Sequence, residues 1–207
     1  MTTFSIPLHN DDRGFVSFKV EHEILMIAGS KHIDIDPQIC TDIIGAFIRM
    51  DFSFVTVCAS GVDKSFRDAL TLSDYRDKSM IACAFKKRAF KNKGVFRSFV
   101  IPEGLSPKVA LAKRTLWMAQ RCSMLLLFPS YPVGRGSLLA FKSVIMGNKP
   151  VFVVPPPHDM RRLRGDMPIL QGSDLYTVYP SSLFGIVKGW WCLPPVYADT
   201  GYCHESV

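Results

Sequence analysis

The chain has 207 residues, of which 48% are hydrophobic and 21% charged. That is a globular composition which excludes a disordered or fibrous protein and fits one domain with a substantial core. Its formal net charge of +7 tilts the expected partners toward phosphate-bearing molecules. No apolar run reaches the roughly 18 residues of a membrane span. The N-terminal stretch has neither the basic nor the apolar segment of a secretory signal. A soluble, cytoplasmic protein with no membrane partner is expected. Cys40, Cys58, Cys83, Cys122, Cys192 and Cys203 form no CxxC pair, and the histidines are scattered, so free thiols and no metal or cofactor are expected.

Residues 1–23 are amphipathic at best, with an edge strand over Gly14–Val20 that would bury Phe15, Phe18 and Val20. Ile24–Ala28 is the first continuous apolar run, the pattern of a strand covered on both faces. Asp36 and Pro37 read as N-cap and first residue of a helix whose apolar stripe is Ile43, Ile44, Phe47 and Ile48. A strand over Phe52–Cys58 leads to a helix near Asp63, with Phe66, Ala69 and Leu70 on one side. Ser79–Phe85 predicts a third buried strand, followed by the basic run Lys86, Lys87, Arg88, Lys91 and Lys93. Ser106–Pro107 opens a helix to about Arg121. Met124–Pro155 then reads as strand, glycine turn, helix and strand. Leu175–Val178 predicts a short strand, and Gly189–Tyr197 an irregular aromatic cover. The alternation predicts an α/β fold with a mainly parallel sheet. The expected division is an extension or edge strand over 1–23, a core over 24–157, and a C-terminal extension over 158–207 that packs on the core or on a partner.

In open parallel sheets, ligands bind beyond the carboxyl ends of the strands. Gly29–Ser30–Lys31, Ser60–Gly61–Val62–Asp63 and Gly134–Arg135–Gly136–Ser137 would converge there. A glycine turn feeding a helix N-terminus presents free N–H groups and a positive dipole end to an anion. The plain alternative is a tight connection with Ser137 as an ordinary N-cap. There is no GxGxxG after the first strand and no Walker loop, which ranks nicotinamide chemistry and ATP hydrolysis low.

The order AGSK, ASGVD, KRTLWMAQ and GRGSLLAFKSVIMGNKPVFVV resembles the SLOG superfamily across about Ile24–Pro155. That group includes the DNA-processing protein A (Smf) family, the cytokinin-activating LOG family and YspA-like proteins. The resemblance implies a Rossmann-like three-layer sandwich that binds a nucleotide, a nucleotide-derived ligand or single-stranded DNA. Gly29 and Ser30 resemble the first-strand Gly-Ser, with Lys31 where an arginine is common. Gly61, Val62 and Asp63 resemble the Gly-[Ile/Val]-Asp after the second strand. Arg114 falls where the family has an arginine ahead of the helix that precedes the penultimate strand. Gly134, Gly136 and Ser137 resemble the glycine-rich turn, and Gly147 the glycine before the last core strand. Two features depart from the pattern. Val57 and Cys58 replace a usual glycine pair, which would close part of the pocket. The LOG signature and its helix glutamate are absent, since Leu138–Lys142 carries no carboxylate.

Each candidate has a plain counterpart. Asp63 would orient a ribose, act as acid/base, or simply cap its helix. Arg114 would clamp a phosphate or pair with a surface acid. Lys31 and Arg135 would contact phosphate or stay solvated. The Lys86–Lys93 run, interleaved with Phe85 and Phe90 and followed by Phe96 and Phe99, would grip single-stranded nucleic acid or form a solvated loop over buried rings. The leading expectation is a binding protein for a nucleotide or nucleotide-derived phosphate. The alternatives are a single-stranded DNA binder and a nucleoside-phosphate N-glycosidic hydrolase, in which only Asp63 offers a carboxylate. A homodimer is expected by analogy alone.

Overall fold

A computed structural model describes residues 2–7, 15–20, 23–72, 76–90, 96–156 and 175–198. Strands β1 (Thr2–Pro7) and β2 (Phe15–Val20) pair antiparallel as a separate two-stranded sheet. The main sheet holds β3 (Ile24–Gly29), β4 (Ser53–Val57), β5 (Ser79–Cys83), β6 (Arg97–Val100), β7 (Met124–Phe128), β8 (Val151–Val153), β9 (Thr177–Leu183) and β10 (Val187–Leu193). Its spatial order is β6-β5-β4-β3-β7-β8-β10-β9, parallel from β6 to β8 and antiparallel through β10 and β9. This is the α/β fold with a mainly parallel sheet expected from the alternation of elements, in the Rossmann-like form that the resemblance implies.

Helices α1 (Pro37–Arg49) and α2 (Val62–Leu72) cover one face, where Phe47 and Phe66 pack with Leu25, Ile27, Phe54 and Leu126. After the short α3 (Lys86–Phe90), helices α4 (Pro107–Arg121) and α5 (Arg135–Met146) cover the other. There Met118, Phe141 and Val144 pack with Met26, Val55, Leu125 and Leu127. Consecutive strand residues point to opposite faces, so two helix layers make the central strands β3 and β7 continuous apolar runs. Local chemistry sets the helix starts as expected at α1, where the Asp36 carboxylate accepts from the Gln38 N–H at 2.7 Å with Pro37 first in the helix.

Three elements depart from the expectation. β1 lay in a segment read as amphipathic at best, where only Gly14–Val20 was expected to form a strand; its Phe4 stacks on Phe18 of β2, and Phe4, Phe18 and Val20 are buried in the α1/α2 face. The side chain of Phe15 is outside the described residues. β6 was not anticipated, because its four residues are the exposed and half-exposed edge of the sheet. The run read as an irregular aromatic cover is β10, a strand in the sheet: Trp191 enters the α1/α2 face, Trp190 and Cys192 the other. Gly189 permits its pairing, since a Cβ there would lie 2.2 Å from the Val153 carbonyl oxygen. α6 (Pro195–Ala198) closes the described chain and sets Tyr197 against Phe18.

Candidate functional site

From β3 the chain steps outward through β4, β5 and β6, then crosses back to β7 on the other side of β3. The strand order therefore reverses between β3 and β7, and the loops leaving their carboxyl ends diverge there. The turn at Gly29–Lys31 leaves β3, the turn at Ser60–Asp63 leaves β4, and Gly134–Ser137 follows β7.

The first two turns are joined to each other and to β7. The Ser30 N–H donates to the Phe128 carbonyl at 2.9 Å, and the Val62 N–H to the Ser30 carbonyl at 3.1 Å. The Ser60 hydroxyl donates to the Lys31 carbonyl at 3.2 Å, and the Ser30 hydroxyl accepts from the His32 N–H at 3.2 Å. Their glycines serve this contact. A Cβ on Gly29 would stand 2.6 Å from the Phe128 oxygen, and one on Gly61 2.4 Å from the Ser30 oxygen. Gly61 also has φ +66°, the left-handed region that glycine tolerates.

Gly134 and Gly136 are different. Neither has a positive φ, and a Cβ on either would meet nothing within 4 Å. Gly134 caps α5 without any side-chain cap, and the first turn carries no acid. Ser137 is therefore inside the helix, buried at 8% exposure, and is not its N-cap. Arg135 and Lys31 are exposed on this edge. Sequence reasoning did not single out Tyr131, which lies in the loop between β7 and Gly134 with 56% of its surface exposed.

Arg114 lies within α4, and not ahead of it. Its Nε is buried with no hydrogen-bond partner among the described residues. Burial lowers the guanidinium pKa, while Asp63, Cys58 and Cys83 nearby oppose that shift. Asp63 is 2% exposed and accepts from the Thr56 hydroxyl at 2.9 Å. Burial pushes its carboxyl up to about 6, against the lowering effects of the Thr56 hydrogen bond, Arg114, Arg67 and a hydrogen bond from the Val57 backbone. The Arg67 guanidinium donates to the Val57 carbonyl at 2.5 Å. The half-buried Arg114 and the buried Asp63 thus lie within electrostatic reach of each other near the second turn.

The basic run begins as α3, directly beyond β5, so it reaches the same carboxyl edge. Lys86, Lys87 and Arg88 are exposed, with Lys86 3.7 Å from Glu103; Lys91 and Lys93 lie outside the described residues. The rings near the run are engaged in packing: Phe99 stacks on Trp117 at 3.9 Å, and Phe85 packs beside Ala84 and Ile101. A concavity at the opposite, amino edge is lined by Ser53, Lys78, Ser79, Arg97, Trp117 and Arg121. It is remote from every turn described above. Among the described residues no group of three or more His, Cys, Asp and Glu could hold a metal ion, and no helix is long and apolar enough to cross a membrane.

No protein-family model matches the sequence, and no curated protein matches it. The architecture does find counterparts among solved structures. Over about two thirds of the chain, the fold is similar to that of DNA processing protein A. The Streptococcus pneumoniae protein superposes with a TM-score of 0.52 at 16% identity, over 65% of this chain and 50% of its own. The Helicobacter pylori protein, studied for its single-stranded DNA binding mode, gives 0.50 at 14% identity, over 68% and 71%. The chain spans about half the length of the pneumococcal protein it matches.

Proposed function

We propose that the carboxyl edge of the sheet binds a nucleotide or a nucleotide-derived phosphate. The observation that carries this is the buried Arg114 Nε left without a partner at the edge where the turns after β3 and β4 meet. An unsatisfied buried donor costs about 1–3 kcal/mol, and a phosphate oxygen is the acceptor that a guanidinium fits best. The open, uncapped start of α5 supports the same chemistry, because its first N–H groups and Gly136 leave room for an anion to approach. Lys31 and Arg135 would add charge at the rim, and Tyr131 a flat face for a base.

A thermal-shift panel of mono-, di- and cyclic nucleotides tests this. At a ligand concentration one hundred times Kd the expected stabilisation is about 2.7 kcal/mol, and Arg114→Gln should lose most of it. Absence of any shift at millimolar ligand overturns the proposal.

Single-stranded DNA is the second reading, favoured by one specific observation: α3 presents Lys86, Lys87 and Arg88 on the same edge. A polymer of phosphates would span both the turns and this helix. N-glycosidic hydrolysis gains no comparable support, since the Asp63 carboxylate is buried against Thr56.

A further inference from the structure

Val57 and Ala82 are partners in the parallel β4–β5 ladder, and the next residue on each strand is a cysteine, Cys58 and Cys83. Parallel neighbours lie about 4.8 Å apart, inside the roughly 4.4–6.8 Å that a disulfide spans between Cα atoms. Each thiol shifts the titration of the other, as expected of side chains at neighbouring positions on adjacent strands. Cys58 is half-buried and Cys83 buried, so Cys58 is the more accessible of the two residues. Two guanidinium groups approach Cys58, that of Arg114 from α4 and that of Arg88 from α3.

We propose that Cys58 and Cys83 are a hydroperoxide-responsive dithiol, with Cys58 the attacking thiolate and Cys83 the resolving thiol. In the first step the Cys58 thiolate attacks the peroxide: an S–O bond forms, the O–O bond breaks, and hydroxide (or alkoxide) leaves. The Cys83 sulfur then attacks the Cys58 sulfenic acid; the S–S bond forms, the S–O bond breaks and water leaves. The dithiol loses two electrons and the hydroperoxide gains them. This chemistry borders the proposed phosphate site, because Arg114 acts on both, but it requires no bound phosphate.

The surroundings supply the asymmetry. The hydrogen bond from Cys83 lowers the Cys58 thiol most, Arg114 and Arg88 lower it further, and burial opposes them. The same hydrogen bond, burial and the charge of Cys58 raise Cys83, against Arg114 and Arg67 of α2. The buried Asp63 of α2 also faces Arg114, whose guanidinium it acts on through its charge. Elsewhere, burial pushes Cys40 and Cys122 each up to about 12 and raises Cys192, so these thiols are poor competitors.

Fully reduced, full-length protein should be treated with hydrogen peroxide and mapped by peptide mass spectrometry. A Cys58–Cys83 cross-linked peptide is expected before modification of any other cysteine. Cys83→Ser should leave a Cys58 sulfenic acid that dimedone captures, and Cys58→Ser should yield neither product. Wild-type alkylation by monobromobimane gives a readout that needs no variant, with a midpoint for Cys58 at about 6. At pH 6 the extra thiolate, offset by lower intrinsic nucleophilicity, leaves Cys58 about tenfold faster than an ordinary exposed thiol. Oxidation that starts elsewhere, Cys203 included, or a midpoint in the ordinary thiol range of about 8–9, overturns the proposal.

Discussion

At the scale of single residues, four glycines that look alike in sequence divide into two kinds. Gly29 and Gly61 are held by the protein's own backbone, whereas Gly134 and Gly136 face open space. Gly61→Ala would force a Cβ into the Ser30 carbonyl at φ +66° and should cost about 2–4 kcal/mol. Gly136→Ala sits in α5 with no obstacle and should stabilise the fold by up to about 1 kcal/mol. Denaturant midpoints of the two variants decide this; equal losses would show that the α5 turn is built for packing too. Asp63 makes a separate prediction. Its folded pKa of about 6 lies above the reference value of 3.8, so the folded state binds a proton more tightly than the unfolded one. Its contribution is therefore favourable below the unfolded value and is lost as pH rises through the folded value. Charging it costs on the order of 3 kcal/mol across that window. Stability of Asp63→Asn should fall less steeply than wild type between about pH 4 and pH 7, measured as unfolding free energy at each pH. Parallel profiles would mean that the carboxylate is fully compensated by Arg114 and Thr56.

At the scale of elements, what was legible in the chain followed from how each element is covered. β3, β4, β5 and β7 lie in the interior of the sheet, so their sequences are mostly apolar runs, with Thr56 of β4 the buried polar exception. α1 and α4 announce themselves through Asp36–Pro37 and Ser106–Pro107. The sheet's ends were harder. β6 offers the short, exposed pattern of an edge, and β9 alternates exposed with half-buried residues. β10 is interrupted by Gly189 and followed by Pro194 and Pro195, which mask a strand signal that its two tryptophans favour. The hairpin from β9 to β10 turns through Phe184 and Gly185, both at positive φ. An aromatic residue in that first position is a rare substitute for the usual Asn or Asp; here Phe184 is held against Phe47 at 5.1 Å. At the site, the three turns were readable because small residues follow apolar runs. The Arg114–Asp63 proximity and the Cys58–Cys83 adjacency were not, because each joins residues on different elements with no spacing to mark them.

At the scale of the whole molecule, part of the basic excess gathers at the edge that carries the turns. Lys31, Arg135, Lys86, Lys87 and Arg88 all emerge from the carboxyl edge, carried there by the same topology that places loops after β3, β5 and β7. A mononucleotide would use the Arg114 guanidinium and the α5 N-terminus alone, while a single strand of DNA would also need α3. The two differ in their response to salt, because each neutralised phosphate of a single strand contributes a slope of about −0.7. Three to five contacts predict a slope of about −2 to −3.5, or roughly 20- to 100-fold weaker oligonucleotide binding between 50 and 200 mM salt. Replacing Lys86, Lys87 and Arg88 together by alanine should flatten that slope by about 2 while leaving nucleotide-induced thermal shifts intact. Fluorescence anisotropy across a salt series measures the first and the nucleotide panel the second. A slope unchanged by the triple substitution removes α3 from any nucleic-acid path. Loss of both responses together would make α3 part of the nucleotide site itself, one continuous anion surface running from β5 to β7.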